Sequence, residues 1–535
     1  MKSLIITIAL AFIYPNLQAQ VQYKRLHRNI MADLHDGNIK QGIQSLQDML
    51  AKDAYDPETH YTLAVAYTLD DKLDLAMEHV LFSLRNGLPF DRYLAGPREW
   101  LAPLVESQDF KKIAQLSQNP PTLIHGPMLG SMTPTSVSLW VRTYQESPVK
   151  VLYSPSLKMN SHKSSAIAYS QAGNDYTAVV QVSDLAPETT YYYKLVIDKD
   201  TLTADEWSFA TFPEKGNPIN LSVGFGGGAG YTPQYTRMWS TLASHRFPAF
   251  LLLGDNVYID HPERPEVQDY VYYRRQSEAR YRSFVANTPV FAVWDDHDFG
   301  TNDSWGTAAK LTPDWKLPVW QKYRNNWNNP YYGGGEDNPG VWTDFSLGDV
   351  DFFMLDSRYY RTAPDNEEAD MLGPVQLEWL LAKLKASEAT FKIIASPVPW
   401  SFESKKGTQM TPSGPRPGGM DTWLGFSDQR NRIFDFIVEE QIEGVVLISA
   451  DRHRSDAWKI GWKGYDFYEF ESSKLTNLHT HGIMPESIFG YNEKCSFGVL
   501  HFDTTQSDPE VTYKIYNIDN ELINQMTLRL SQLDF

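Results

Sequence analysis

Four short apolar runs in the C-terminal part of the chain each end in a cluster of polar residues, and the clusters begin at Asp255, Asp295, Asp356 and Asp451. Short apolar runs bounded by turn residues are typical of strands that are buried on both faces of a sheet. Amphipathic helical patterns lie between some of the runs, which favours an α/β sheet. Because the strands of such a sheet present their carboxyl ends at one edge, we expect the polar clusters to meet there.

This α/β pattern extends from residue 219 to the C terminus. Six strands are predicted in it, at residues 221–225, 249–253, 290–294, 350–355, 391–395 and 445–449. Two helices are well delimited, because one has Pro374 in its first turn and the other runs from the capping residue Ser427 to the terminating Gly444.

The run Asp295-Asp296-His297-Asp298 carries the strongest chemical signal. Three carboxylates within four residues repel one another unless a cation compensates them, and the next basic residue downstream is Lys310. The run therefore predicts a divalent or trivalent metal ion.

The other clusters are weak signals when each is taken alone. The run 254–256 is typical of a turn, and the run 451–453 is typical of a surface loop. Their recurrence at strand ends favours a single centre, because two-metal hydrolytic sites are assembled from mixed Asp, Asn and His side chains on several loops. Such a centre would neutralise phosphate oxygens, and Arg358 would add a planar donor for them.

The N terminus predicts a signal peptide over residues 1–19. A basic Lys2 precedes an apolar stretch from Leu4 to Tyr14, which is shorter than the ~20 residues of a membrane span. No later apolar run is long enough to span a bilayer. Because Cys495 is the only cysteine, no intramolecular disulfide can form, and an exported protein of this kind fits a bacterial periplasmic or secreted location.

Residues 20–118 predict a helical repeat domain. The segment from Asp36 aligns with the segment from Asp70 at an offset of 34 residues, which is the tetratricopeptide (TPR) period. Gly42 and Ala76 occupy the matching positions at which the helices of a repeat cross closely. The alternative is a small helical bundle with chance periodicity. In both cases we expect the domain to serve packing or to bind a protein partner.

Residues 121–213 change to an alternation of apolar and polar residues with a period of two. The alternation predicts antiparallel strands and a β-sandwich that resembles a fibronectin or immunoglobulin (Ig) module. Residues 214–218 are the expected linker, so the chain as a whole is predicted to be a multidomain α+β protein. Its formal net charge of −18 argues against nucleic-acid backbones as partners.

The α/β part of the chain resembles a known family. The strings LLLGDNVY, AVWDDHDFGTND, GDVDFFMLDSRYYR and GVVLISADRH match, in order and spacing, the PhoD-type alkaline phosphatase/phosphodiesterase family, a branch of the calcineurin-like metallophosphoesterases. We assign residues 217–535 to this domain. The resemblance implies a sandwich of two mixed sheets flanked by helices, with the β-sandwich as an N-terminal domain. It also implies the hydrolysis of phosphate mono- or diesters by a metal-activated hydroxide.

The resemblance further implies roles for individual residues. The expected metal ligands are Asp255, Asp296, Asp451 and His453. Asp255 would bridge two metals, His297 would protonate the leaving oxygen or stabilise transition-state charge, and Arg358 would contact the phosphate. The weaker candidates for substrate contact or for support of the ligands are Asn256, Tyr258, Asn302 and Arg454.

Two departures from the family pattern concern the metals. Relatives usually have a cysteine at the end of the first strand, and here Gly228 stands in its place and offers no side-chain ligand. Arg454 stands where relatives often have a second histidine. We expect two or more metal ions at the site. Because these two ligand positions differ from the family pattern, the identity of the ions stays open among calcium, iron, manganese and zinc.

Two other functions compete with this one. Gly224-x-Gly226-x-x-Ala229 formally fits a dinucleotide-binding fingerprint, but the next helix begins too far downstream and no acidic residue follows at the required spacing. The second alternative is a catalytically weakened protein that keeps the fold and uses the helical repeats to bind a partner. Residues 401–426 are expected to line the site, with Trp400 and Trp423 as walls, or to form a long exposed loop.

Overall fold

The computed structural model describes residues 26–116, 121–204, 207–364, 369–411 and 414–535, and the predicted signal peptide lies outside them. We call residues 26–116 the helical segment, 121–217 the β segment and 219–535 the α/β segment. These segments follow the three changes of sequence pattern. In the described ranges, no helix combines the length and the apolar character needed to cross a bilayer.

The helical segment contains seven helices in its described residues: α1 (Leu26–His35), α2 (Ile39–Leu50), α3 (Pro57–Leu69), α4 (Leu73–Arg85), α5 (Asp91–Ala95), α6 (Arg98–Val105) and α7 (Gln108–Leu116). Gly37 and Asp71 have positive φ values, 83° and 54°, and form the turns between α1 and α2 and between α3 and α4. The offset of 34 residues in the sequence thus relates two helical hairpins. A Cβ on Gly42 would lie 2.9 Å from Leu34, so α1 and α2 cross closely at this glycine.

The β segment contains nine strands in its described residues: β1 (Leu123–Gly130), β2 (Val137–Thr143), β3 (Pro148–Ser154), β4 (Lys163–Ser164), β5 (Ala168–Tyr169), β6 (Thr177–Val182), β7 (Thr190–Ile197), β8 (Asp200–Leu202) and β9 (Ser208–Ala210). One antiparallel sheet has the order β1-β2-β6, and the other has β4-β3-β7-β8 with β5 beside β3 and β9 beside β7. The alternation seen in the sequence appears in β7, where every second residue is buried.

The α/β segment contains the strands β10 (Asn220–Gly226), β11 (Phe250–Leu253), β12 (Val290–Val293), β13 (Thr343–Leu347), β14 (Val350–Met354), β15 (Phe391–Ala395), β16 (Thr408–Thr411), β17 (Gly414–Pro417), β18 (Val445–Ser449), β19 (Ser455–Trp462), β20 (Tyr465–Ser472), β21 (Phe489–Tyr491), β22 (Ser496–Asp503), β23 (Glu510–Asn517) and β24 (Leu522–Arg529). Its helices are α8 (Arg237–His245), α9 (Pro265–Gln276), α10 (Ala279–Val285), α11 (Asp296–Phe299), α12 (Lys316–Asn326), α13 (Pro374–Ala386) and α14 (Ser427–Glu439). All six predicted strands are present, whereas α14 ends at Glu439, before the predicted Gly444.

Two mixed sheets pack face to face in this segment. Their strand orders are β12-β11-β10-β22-β23-β24 and β13-β14-β15-β18-β20-β19-β21. The ring of Phe470 on β20 stacks on Tyr513 of β23 at 4.5 Å between centroids, so the sheets share one core. Phe352 faces that core, and the adjacent Phe353 faces a second core under α13 and α14. This burial on both faces explains the continuous apolar runs in the sequence.

The polar clusters do meet, although their strands belong to two sheets and not to one. Strands β10, β11 and β12 run parallel in the first sheet, and β14, β15 and β18 run parallel in the second. The indole of Trp294, directly after β12, donates a 2.7 Å hydrogen bond to Asp356, directly after β14. The backbone N–H of Gly227, after β10, donates to Ser472 at the end of β20. The carboxyl ends of both sheets therefore form one edge.

Candidate metal centre

Asp255 occupies a tight turn directly after β11. Gly254 and Asp255 have positive φ values of 92° and 52°. A Cβ on Gly254 would lie 2.5 Å from the Cβ of Asp295, so glycine allows the loops after β11 and β12 to touch. This close approach places Asp255 beside the Asp295–Asp298 run.

The three carboxylates of that run have three different environments. Asp295 accepts a 2.5 Å hydrogen bond from Nε of Arg358. Asp298 accepts backbone N–H groups of Asp295, Asn256 and Val257 at 3.0, 3.2 and 2.8 Å, and so joins the two loops. Protein donors therefore compensate Asp295 and Asp298, and the predicted metal ion concerns Asp296. Among the three carboxylates of the run, Asp296 is the one that lies in candidate metal groups of the described residues.

Asp255, Asp296 and His297 form the central group. Their ligand atoms lie within 4.8 Å of one another, and all three residues are buried. Burial, followed by the charges of Asp296 and Asp295, raises the pKa of Asp255 well above its usual value, although His297 counteracts this. Burial also disfavours a charge on His297, but the carboxylates of Asp296, Asp255 and Asp260 outweigh it and raise the pKa of the ring to about 10. The group is a buried concentration of negative charge.

His453 and Tyr258 also border Asp255. The hydroxyl of Tyr258 donates a 2.8 Å hydrogen bond to Asp255 Oδ2, and His453 Nε2 lies 3.7 Å from the same oxygen. A Cβ on Gly228 would lie 3.4 Å from His453 Cδ2. Position 228 therefore borders the site, as the sequence predicts, and it contributes no ligand.

A second acidic group consists of Asp296, Asp303 and Asp421, whose ligand atoms also lie within 4.8 Å of one another. Asp421 is fully buried and pairs with Arg358 at 2.9 Å and with Arg361 at 2.8 Å. These arginines hold the pKa of Asp421 well below its usual value against the effect of burial, so its charge is already compensated without a metal.

Asp451 borders the same cluster of charges, although among the described residues it belongs to none of the three groups with metal-ligand spacing. Its carboxylate lies 3.5 Å from the guanidinium of Arg452. Lys405 Nζ lies 3.4 Å from both Asp303 and Asp421. Burial lowers the pKa of Lys405, but the charges of Asp421 and Asp451 outweigh it, so the pKa is raised above its usual value.

Two arginines of the predicted site are internal: Arg358, expected to contact the phosphate, and Arg454, expected to contact substrate or to support the ligands. Arg358 is fully buried and donates to Asp295, to Asp421 and to the carbonyl of Ser304, which leaves no face of it toward solvent. Arg454 is also fully buried and pairs with Asp456. Both arginines are positioned as internal ion-pair partners.

One further predicted feature differs from the structure. Trp400 and Trp423 are not walls of the site, because both are fully buried and their rings stack at 4.3 Å. Asn302 is exposed on the loop after α11, and its role as a weaker candidate for substrate contact stays a prediction.

Several residues at the site were not predicted: Arg28, Asp260, Asp303, Lys405, Asp421, Asn477, His479 and His481. His479 and His481 form a third group with His453 whose ligand atoms lie within 4.8 Å. The spacing His-x-His is a sequence signal that could have indicated them. Arg28 comes from the helical segment, which carries no such signal.

The residues present fit metal ions. Asp255 Oδ1 and Asn256 Oδ1 are buried and lack hydrogen-bond partners in the part of the chain that the structure describes. Buried polar atoms are rarely left unsatisfied, so these oxygens indicate ligand positions. Carboxylate, amide and imidazole donors together suit divalent or trivalent cations such as calcium, manganese, iron and zinc.

Comparison with known proteins agrees with this fold. The profile of a family described as PhoD-like phosphatase matches residues 223–517, and a domain of unknown function (DUF7800) matches residues 120–214. Alkaline phosphatase D of Bacillus subtilis (strain 168) is 24% identical over 345 residues, which cover 55% of this chain and 56% of that protein. The chain thus spans little more than half the length of this relative.

Two solved structures are similar in fold. A structure of PhoD covers 74% of this chain and 91% of its own, with a TM-score of 0.60 and 17% identity. Purple acid phosphatase PPD1 from yellow lupin (Lupinus luteus) seeds covers 76% of this chain and 75% of its own, with a TM-score of 0.54 and 12% identity.

The fold and the site define the class of protein: a two-sheet α/β protein with an acidic, histidine-bearing centre suited to metal ions. The chain belongs to the PhoD-like phosphatase family, because the family profile matches more than half of its residues.

Proposed function

We propose that the protein is an exported, metal-dependent phosphoric ester hydrolase that acts on phosphate mono- or diesters. The observation that carries this proposal is the buried group of Asp255, Asp296 and His297, with ligand atoms within 4.8 Å, in a chain of the PhoD-like phosphatase family. The signal-peptide pattern of residues 1–19 supports export.

Asp255, Asp296, Asp451 and His453 are the proposed metal ligands. Asp255 is suited to be shared by two ions, because its carboxylate neighbours Asp296 and also lies 3.7 Å from Nε2 of His453. When bound, the ions would supply a Lewis acid that activates water and neutralises phosphate oxygens.

His297 is the proposed general acid. Its Nδ1 is hydrogen bonded to Asp260, which orients the ring and leaves Nε2 as the nitrogen for proton transfer. An imidazolium in this position can give its proton to the departing oxygen of the ester.

Lys405 and Arg452 replace Arg358 as the proposed phosphate contacts. Both are cations beside the acidic groups, and both side chains retain some exposure, 14% for Lys405 and 8% for Arg452, in contrast to the fully buried Arg358. A cation with access to solvent can meet an anionic substrate without first breaking a buried ion pair.

The finer domain layout is part of the same proposal. We propose a signal peptide at 1–19, a TPR-like domain at 20–118, an Ig-like domain at 121–213 and the phosphatase domain at 217–535. The helical hairpins and the two small antiparallel sheets support the two middle assignments.

The test is reconstitution of the purified protein. After chelation, calcium, manganese, iron or zinc is returned singly and in pairs, and hydrolysis of nitrophenyl phosphate and bis(nitrophenyl) phosphate is measured. We expect activity to disappear on chelation and to return with at least one ion or pair. Folded protein that hydrolyses neither ester and carries less than one metal per chain would instead support a binding protein without catalysis.

A further inference from the structure

Three histidine rings lie together beside Asp255. His453 is 7% exposed, His481 is half-buried and His479 is exposed. Their ring centroids are 5.2 Å apart for the 453–479 pair, 5.6 Å for 453–481 and 4.5 Å for 479–481. One nitrogen from each ring lies within 4.8 Å of the others. Binding to one ion with bonds of ~2.1 Å requires these nitrogens to lie at most ~4.2 Å apart, which small rotations of the rings can supply.

The loop that carries His479 and His481 is attached to the site at several points. Asn477 donates through its side chain to the hydroxyl of Tyr258, and its Oδ1 accepts the backbone N–H of His479 at 3.1 Å. The hydroxyl of Thr480 lies 3.3 Å from the carbonyl of His453. Asn492 donates to the carbonyl of His481 at 2.8 Å. Hydrogen bonds of this loop to Tyr258, His453 and Asn492 therefore hold the three rings near one another.

We propose that His453, His479 and His481 hold a transition-metal ion through three imidazole nitrogens. Imidazole suits zinc, iron, copper and nickel, whereas the oxygen donors around Asp296 suit calcium or manganese. The edge would then carry a nitrogen-rich site beside an oxygen-rich one. The binding of this ion does not depend on the proposed function.

The test measures metal binding directly. Chelated protein is titrated with zinc, and with cobalt as a spectroscopic substitute whose visible absorption reports nitrogen ligands. The double variant His479→Ala/His481→Ala is expected to lose one bound ion per chain, or to bind it at least ~100-fold more weakly. The matched control is His162→Ala, which removes an exposed histidine of the β segment.

Asp296→Asn separates this inference from the proposed function. We expect this variant to lose hydrolysis while the cobalt spectrum of the histidine site persists. Equal zinc stoichiometry, affinity and cobalt spectra in wild type and in the double variant would overturn the three-histidine site, whether or not the protein hydrolyses phosphate esters.

A second, independent observation concerns Arg28 of the helical segment. Its side chain is 4% exposed, donates to the carbonyl of Tyr258 at 2.7 Å and pairs with Asp260 Oδ2 at 2.5 Å. The other oxygen of Asp260 is hydrogen bonded to Nδ1 of His297. Asp260 itself has a φ of 54°, and its backbone N–H and that of Ile259 point to the carbonyl of His297 at 3.4 and 2.9 Å.

We infer that Arg28 is a positioning residue for His297. Asp260 binds Arg28 with one carboxylate oxygen and His297 with the other. Arg28 therefore fixes the orientation of Asp260, and Asp260 fixes the orientation of the His297 ring. The helical segment would thereby be required for full catalysis, in addition to any role in binding a partner. This inference rests on the proposed role of His297.

The test compares Arg28→Met with Arg264→Met. Arg264 also joins the α/β segment to the helical segment, through Asp36 at 2.9 Å, but it has no contact with Asp260 or His297 among the described residues. We expect Arg28→Met to lower kcat by about 10- to 100-fold with little change in KM. The loss should be larger for an alkyl phosphate than for nitrophenyl phosphate, because a poor leaving group depends more on protonation.

Arg28→Lys restores a cation and is expected to recover part of kcat, and Arg264→Met should retain the wild-type value. If both methionine variants melt alike and lose equal activity on both esters, Arg28 serves only the packing of the segments. If the wild-type protein hydrolyses neither ester, it is the proposed function that fails.

Discussion

Replacing Asp255 by asparagine is expected to abolish hydrolysis and metal binding at the Asp255–Asp296 centre while making the metal-free protein more stable. The carboxylate is 2% exposed, it lies close to Asp296, and its Oδ1 lacks a hydrogen-bond partner among the described residues. Without metal this charge is buried at a cost, and with metal it is the shared ligand. We expect kcat/KM to fall more than ~10³-fold, which corresponds to about 4 kcal/mol.

The measurements are metal content by elemental analysis, kcat/KM on nitrophenyl phosphate and the melting temperature after chelation. Asp74→Asn is the control, because it removes the same charge from an exposed position on α4. An Asp255→Asn protein that keeps its metal and its activity would show that the centre lies elsewhere. A lower melting temperature in the metal-free variant would show that Asp255 has a structural role.

Replacing Arg358 by methionine is expected to destabilise the protein by about 3–5 kcal/mol, the usual cost of breaking a buried ion pair. Arg358 is fully buried between Asp295 and Asp421. Asp421 would keep Arg361 at 2.8 Å, whereas Asp295 would lose its guanidinium partner. The loss arises mainly from leaving the Asp295 carboxylate buried without that cation.

Urea unfolding with saturating metal measures this effect. Arg529→Met is the control, since Arg529 pairs with Glu510 at the surface, and exposed pairs contribute at most ~1 kcal/mol. If Arg358 contacts substrate phosphate, the methionine variant will instead unfold like the wild type and show a raised KM. That result would restore the role implied by the family resemblance.

The elements of the α/β segment could be predicted because the rule behind them is local. A strand covered on both faces must be apolar at each position, as Phe352 and Phe353 show by facing different cores. The same rule placed Asp255 and Asp451 at strand ends. It could not show that the strands divide between two sheets, because β10 pairs with β22, more than 250 residues away, and such pairings leave no periodic signal.

The roles of neighbouring acids could not be predicted for a similar reason. Asp295, Asp296 and Asp298 are equivalent in sequence, yet Arg358 compensates the first and backbone N–H groups of the β11 loop compensate the third. Hydrogen bonds and ion pairs act over a few ångströms, so the identity of the donor depends on which loops are adjacent.

The sequence by itself therefore indicated six strands of the α/β segment, the family and the residues of the central group, because each of these leaves a pattern along the chain. The tertiary structure alone decided which cations are buried, which histidines join His453 and how the helical segment reaches the site. Arg28 and Tyr258 are 230 positions apart in the sequence, yet the guanidinium of Arg28 lies 2.7 Å from the carbonyl oxygen of Tyr258. Charge and hydrogen bonding depend on the distance between atoms in space. The sequence records only the number of positions between the residues.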